Sequence, residues 1–129
     1  MAPYAVCNLG NLTPTSSGSS NTGAVGGLHD AESLTIYVTS SAGTASTGAT
    51  PLAIQVSQFD PALTAPGGVT ESTLFYLLRL TSTLAGLPVL TTGGAITIEA
   101  PAFRGLRLTN MTSAVAAEIV GYITKKIVV

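Results

Sequence analysis

Hydrophobic and polar positions alternate with a period of two in several short runs of this chain, the pattern of strands with one buried face. In Ser33–Ser40, SLTIYVTS, Leu34, Ile36 and Val38 fall on one side and Thr35, Tyr37 and Thr39 on the other. Leu52, Ile54 and Val56 alternate in the same way with Ala53, Gln55 and Ser57, and Phe59-Asp60-Pro61 closes that run with turn chemistry. Ala95 to Ala100 sets Ile96 and Ile98 inward and Thr97 and Glu99 outward, and Pro101 makes its end an edge or a break. Phe103 to Leu108 opposes Arg104, Leu106 and Leu108 to Phe103, Gly105 and Arg107, so Arg107 faces away from Leu106. From about Ala117 to Val129, Ile119, Gly121 and Ile123 oppose Val120, Tyr122 and Thr124, with an approach at Ala114–Ala117 that suits one helical turn.

Ser72–Leu80, STLFYLLRL, admits two periods. Leu74, Leu77 and Leu78 suit a helix, whereas Leu74, Tyr76, Leu78 and Leu80 suit a strand; the short length and β-rich surroundings favour the strand. Pro88–Leu90 supplies a further short strand before the turn Thr91-Thr92-Gly93-Gly94, and residues 41–50 and 63–70 read as loops of small residues. Seven or eight strands at a spacing of about ten residues predict an all-β fold, an antiparallel β-sandwich of jelly-roll-like form.

The first 32 residues read differently. Thr13 to Gly27, TPTSSGSSNTGAVGG, carries no charge, and Val25 is its one sizeable apolar side chain. Such a segment buries too little apolar surface to offset its own ordering entropy. The chain therefore divides into an extended N-terminal arm, 1–32, and a sandwich domain, 33–129, with the arm held still by a partner. An arm of small residues can pair its backbone along a neighbouring surface as an added strand. That makes Thr13, Ser16, Ser19, Asn21 and Val25 candidate contact residues.

Composition points the same way. The 129 residues fit one domain, and charged residues are only 9%, against roughly 25% in an average soluble protein. With a mean hydropathy of +0.50, much of the surface is expected to be covered by other chains. The net charge is -1 and the five basic residues are Arg79, Arg104, Arg107, Lys125 and Lys126. No basic arm or stripe exists, which argues against nucleic-acid binding through phosphates. The single Cys7 allows neither an internal disulfide nor a thiolate metal site, and reads as a buried or idle thiol. The start MAPYAVCNLGNL lacks the features of a signal peptide, and no run approaches the ~18 apolar residues of a membrane span, so no membrane association is expected. The sequons at Asn11 and Asn110 read as chance matches in a Thr-rich chain.

Candidate chemistry is thin. Leu28-His29-Asp30-Ala31-Glu32-Ser33 gathers a His, two carboxylates and a hydroxyl, but consecutive residues of an extended segment point to alternate faces. Gly23–Gly27 lacks both the P-loop Lys-Ser/Thr and the dinucleotide G-x-G-x-x-G. The seven aromatics are not interleaved with basic residues as on a single-strand nucleic-acid platform. The expectation is a protein with no enzymatic activity, cofactor or metal. Arg104 and Arg107 are candidate interface residues, since arginine can fork onto a neighbour's carboxylate or carbonyl groups; an internal pair with Glu99 or Glu118, or simple exposure, is the alternative. Lys125-Lys126 reads as an edge-strand guard against unwanted pairing.

From Ser33 onward the succession SLTIYVTS, a Gly/Ser/Thr-rich loop, PLAIQVSQFDP, a Gly-rich turn, AITIEAPAFRGLRLTN and a closing VGYITKKIVV resembles the small β-sandwich decoration, or cement, proteins of tailed-bacteriophage capsids. The resemblance implies a virion structural protein, made in the host cytoplasm and located on the capsid surface. It implies a homotrimer at local three-fold positions, touching the major capsid protein through an arm or loop. Two alternatives stay open: another phage structural protein, such as a tail, fibre-base or coat subunit, and a bacterial adhesin or ligand-binding sandwich.

Overall fold

The computed structural model describes residues 3–39, 53–61, 74–78, 93–111, 115–116 and 118–129. Among them are seven strands: β1 (Tyr4–Leu12), β2 (Ser33–Val38), β3 (Ala53–Ser57), β4 (Tyr76–Leu77), β5 (Ala95–Glu99), β6 (Gly105–Thr109) and β7 (Gly121–Val128). They build two antiparallel sheets, one ordered β1-β7-β2-β5 and the other β4-β3-β6. The all-β expectation holds. The expected strand at 88–90 and the loops at 41–50 and 63–70 lie outside the described residues.

The period-two pattern explains why the sheets meet. Leu34, Ile36 and Val38 of β2, Ile98 of β5 and Ile123 of β7 share one buried cluster with Ile54 and Val56 of β3 and Leu106 and Leu108 of β6. Each fully buried Leu or Ile contributes about 1.5–3 kcal/mol, so this shared layer is what holds the sheets face to face. On the opposite face of β2, Thr35 meets Thr97 at 3.1 Å between hydroxyls, and Tyr37 stacks on Tyr122 with ring centroids 4.6 Å apart. Gly121, opposite Val38, is buried where a Cβ would run into the Tyr37 carbonyl.

Three expectations need correction. Residues 3–32 are not an arm lying apart from the sandwich, because β1 pairs with β7 from Tyr4–Val128 to Leu12–Gly121. The alternation in YAVCNLGNL is interrupted by a bulge between Asn8 and Gly10, with Gly10 at φ 128° and its N–H bonded to Asn8 Oδ1 at 2.9 Å. The extra residue resets the pleat, so Leu12, which strict alternation from Asn8 would turn outward, enters the core fully buried. Second, Lys125 and Lys126 guard no edge: β1 covers β7 on one side and β2 covers it on the other. Third, the predicted alternation starts too early in two places. Phe103, grouped with Gly105 and Arg107 by that alternation, precedes β6 and is buried in the core, and Val120 is buried while Ile119 is exposed because the strand period begins only at Gly121.

β4 lies within the run that admitted two periods, and it pairs with β3 through Val56–Tyr76 and Gln55–Leu77. Among the described residues β5, as Pro101 predicted, is an edge strand; it stops at Glu99 and is followed by Ala100 at φ 45°.

Candidate interaction sites

The uncharged segment Thr13–Gly27 is held by backbone and hydroxyl hydrogen bonds within its own chain. Pro14 bridges Thr22, the Gly23 N–H donates to Thr13 O at 2.9 Å and the Thr15 N–H to Asn21 O at 3.2 Å, which folds the segment back on itself. Hydroxyls tie the tip: Thr15 Oγ1 and Ser19 Oγ lie 2.7 Å apart, and Ser19 Oγ donates to Asn21 O at 3.0 Å. The returning limb then lies along the outer edge of β6. The Val25 N–H donates to Leu106 O at 2.8 Å and the Leu106 N–H returns to Val25 O at 3.0 Å. Thr109 Oγ1 donates to Asn21 Oδ1 at 2.6 Å. Leu28, fully buried, pins the far end in the core. The segment thus acts as an added strand, on an edge of its own molecule. Of the residues predicted to contact a partner, Thr13, Ser19, Asn21 and Val25 are half-buried in these arrangements, and Ser16 is exposed at the tip.

The opposite situation holds at β1. Among the described residues, nothing pairs with its outer edge. Its nine residues carry no charge. Because the Val129 N–H donates to Pro3 O at 3.1 Å, the alternation of an antiparallel ladder turns the main-chain N–H and C=O of Tyr4, Val6 and Asn8 away from β7, toward that free edge. The side chains beside it are exposed and mostly apolar: Val6 is 71% exposed, and Tyr4, Val128 and Val129 are exposed with it. Lys126 covers part of Tyr4, its ammonium 4.1 Å from the ring centroid. A long, uncharged, apolar strand edge is a template for pairing with another chain.

The two candidate arginines have different surroundings. Arg107 is 8% exposed, donates from Nε to Gln55 Oε1 at 2.8 Å and places its guanidinium 4.2 Å from the Phe75 ring centroid. It faces away from Leu106 as expected, onto the outer side of the three-stranded sheet. Arg104 is exposed, while its main chain is fixed by donation to Ser57 O at 2.8 Å. The Arg104 side chain borders a hollow of about 170 Å³ lined also by His29, Pro101, Ala102 and Phe103. A second, open hollow of about 390 Å³ is lined by Ser57, Gln58, Phe59, Leu74 and Tyr76.

His29 adds only a minor electrostatic influence on Asp30. Asp30 Oδ1 instead accepts from Lys125 Nζ, 2.6 Å away, and the same ammonium donates to Gly27 O at 2.9 Å. The Lys125 hydrogen bond holds the Asp30 carboxyl below the ordinary carboxylate range. Cys7 is half-buried on the core-facing side of β1, opposite Lys125.

Comparison of the chain with protein-family models, curated proteins and solved structures finds no match. Sequence reasoning missed Tyr4, Val6 and Val128 as candidate contact residues. The signal was present: Tyr4, Val6 and Asn8 alternate with Ala5, Cys7 and Leu9, a strand pattern, with no charge to guard an edge.

Proposed function

We propose that this protein is a non-enzymatic structural component of a phage virion that binds the outside of the capsid and stabilises the shell as a decoration protein. The observation that carries the reading is the nine-residue uncharged edge of β1 with its exposed Tyr4, Val6 and Val128. A chain whose task is assembly needs such an edge, and a solitary monomer would guard it with charge or proline. The low charge of the sequence and its resemblance to phage cement proteins agree with this reading.

The edge also suggests how copies associate. In the order β1-β7-β2-β5, neighbours all run antiparallel, so β1 of one copy can continue the sheet beyond β5 of the next, again antiparallel. That head-to-tail contact closes into a ring when the rotation permits, and a homotrimer with a jelly-roll-like sandwich of seven or eight strands in each subunit is the proposed form. The exposed tip at Ser16 and the Arg104 side chain then remain available to the major capsid protein.

The test is cosedimentation of the purified chain with heads of the phage that encodes it, prepared without it. Decoration predicts saturable binding to assembled heads and none to free coat subunits. A chain that stays in the supernatant would contradict it and favour a tail or fibre-base role.

A further inference from the structure

The hollow beside Arg104 has a chemistry that the reading above does not specify. The chain holds only five Lys and Arg residues and one His, yet Arg104 and His29 line the same hollow. Both are exposed, and His29 acts on the neighbouring Asp30 carboxylate only as the smallest of its electrostatic influences. The carboxylate nearest in sequence, Asp30, is already held by Lys125 at 2.6 Å. Among the described residues, no carboxylate is in salt-bridge contact with the Arg104 guanidinium.

The main chain around them is held in place. Arg104 N is bonded to Ser57 O at 2.8 Å, Phe103 is buried in the core, and Leu28, next to His29, is fully buried and accepts a turn bond from the Ala31 N–H at 3.2 Å. The walls are Pro101, Ala102 and Phe103. A hollow of about 170 Å³ that opens to solvent has room for a carboxylate with its adjoining methylenes. A guanidinium can bind both carboxylate oxygens through parallel N–H groups, and an imidazole N–H adds a third donor.

We propose that this hollow receives a carboxylate, a Glu or Asp side chain or a chain terminus, presented by the capsid shell. The proposal rests on the decoration reading and names the chemistry of one of its contacts. Arg104 supplies the fork, His29 the third donor, and the Pro101–Phe103 wall packs on the methylenes.

The test is cosedimentation of the full-length protein with heads that lack it, comparing wild type with Arg104→Ala, Arg104→Glu and His29→Gln, each first shown to melt like wild type. Loss of a charge-assisted bond predicts binding weakened by about tenfold for Arg104→Ala, more for Arg104→Glu, and less for His29→Gln. Wild-type binding that the Arg104 variants match would overturn the carboxylate site and leave the decoration reading standing. Failure of wild type to bind would overturn both.

Discussion

Thr22 and Leu108 exchange two hydrogen bonds: the Thr22 N–H donates to Leu108 O at 3.0 Å, and the Leu108 N–H donates to Thr22 Oγ1 at 2.9 Å. A side-chain oxygen thereby takes the place of a backbone carbonyl on the edge of β6. Thr22 is buried, as is Leu108, so water cannot replace the hydroxyl if it is removed. Thr22→Val keeps the shape and leaves the Leu108 N–H unsatisfied. The expected loss is about 1–3 kcal/mol, read from the urea midpoint. Thr22→Ser, which retains the oxygen, should lose less.

Arg107 and Arg104 should separate in the same assay. Arg107 is buried against Phe75 and bonded to Gln55, so Arg107→Ala removes packing and strands the Gln55 carbonyl. A destabilisation of about 1–3 kcal/mol is expected. Arg104→Ala should stay within about 0.5 kcal/mol of wild type, as exposed substitutions usually do. Equal shifts of the urea midpoint would contradict the assignment of one arginine to structure and the other to contact.

The Lys125–Asp30 pair gives a pH dependence of defined sign. Its hydrogen bond lowers the Asp30 pKa in the folded state from the ordinary 3.8, so the folded protein binds the proton less readily than the unfolded chain. The pair's contribution is present above pH 3.8 and is lost as pH falls through the lowered value. Asp30 is 48% exposed, which keeps the contribution well under 1 kcal/mol. Asp30→Asn should flatten this part of the acid limb of a stability–pH curve. An unchanged limb would show that the pair does not act in solution.

Much of the fold was legible in the sequence because the core strands are half-buried, and a half-buried strand writes its burial as period two. Leu34, Ile36 and Val38 were read inward from that period, as was Ile98, and all are buried. The N-terminal quarter was misread because its information is not periodic. The bulge at Asn8–Gly10 breaks the alternation of β1, and the segment after it is fixed by hydroxyls and backbone groups that composition counts as disorder-promoting. Two buried leucines, Leu12 and Leu28, anchor its ends, and only the fold reveals what lies between them. Arg107 was legible as facing away from the core strand, but its burial against Gln55 and Phe75 was not, since both partners are distant in sequence. The free edge of β1 could be found only after β1 was known to be the outermost strand.

Light scattering on the full-length protein, wild type beside Val6→Lys, tests the central claim most directly. Val6 is 71% exposed, so the substitution should leave folding intact while placing a charge on the pairing edge. The account predicts a discrete oligomer for wild type, three times the 12.9 kDa chain, and a monomer for Val6→Lys. A wild-type protein that scatters as a monomer, or a Val6→Lys variant that assembles as wild type does, would contradict it.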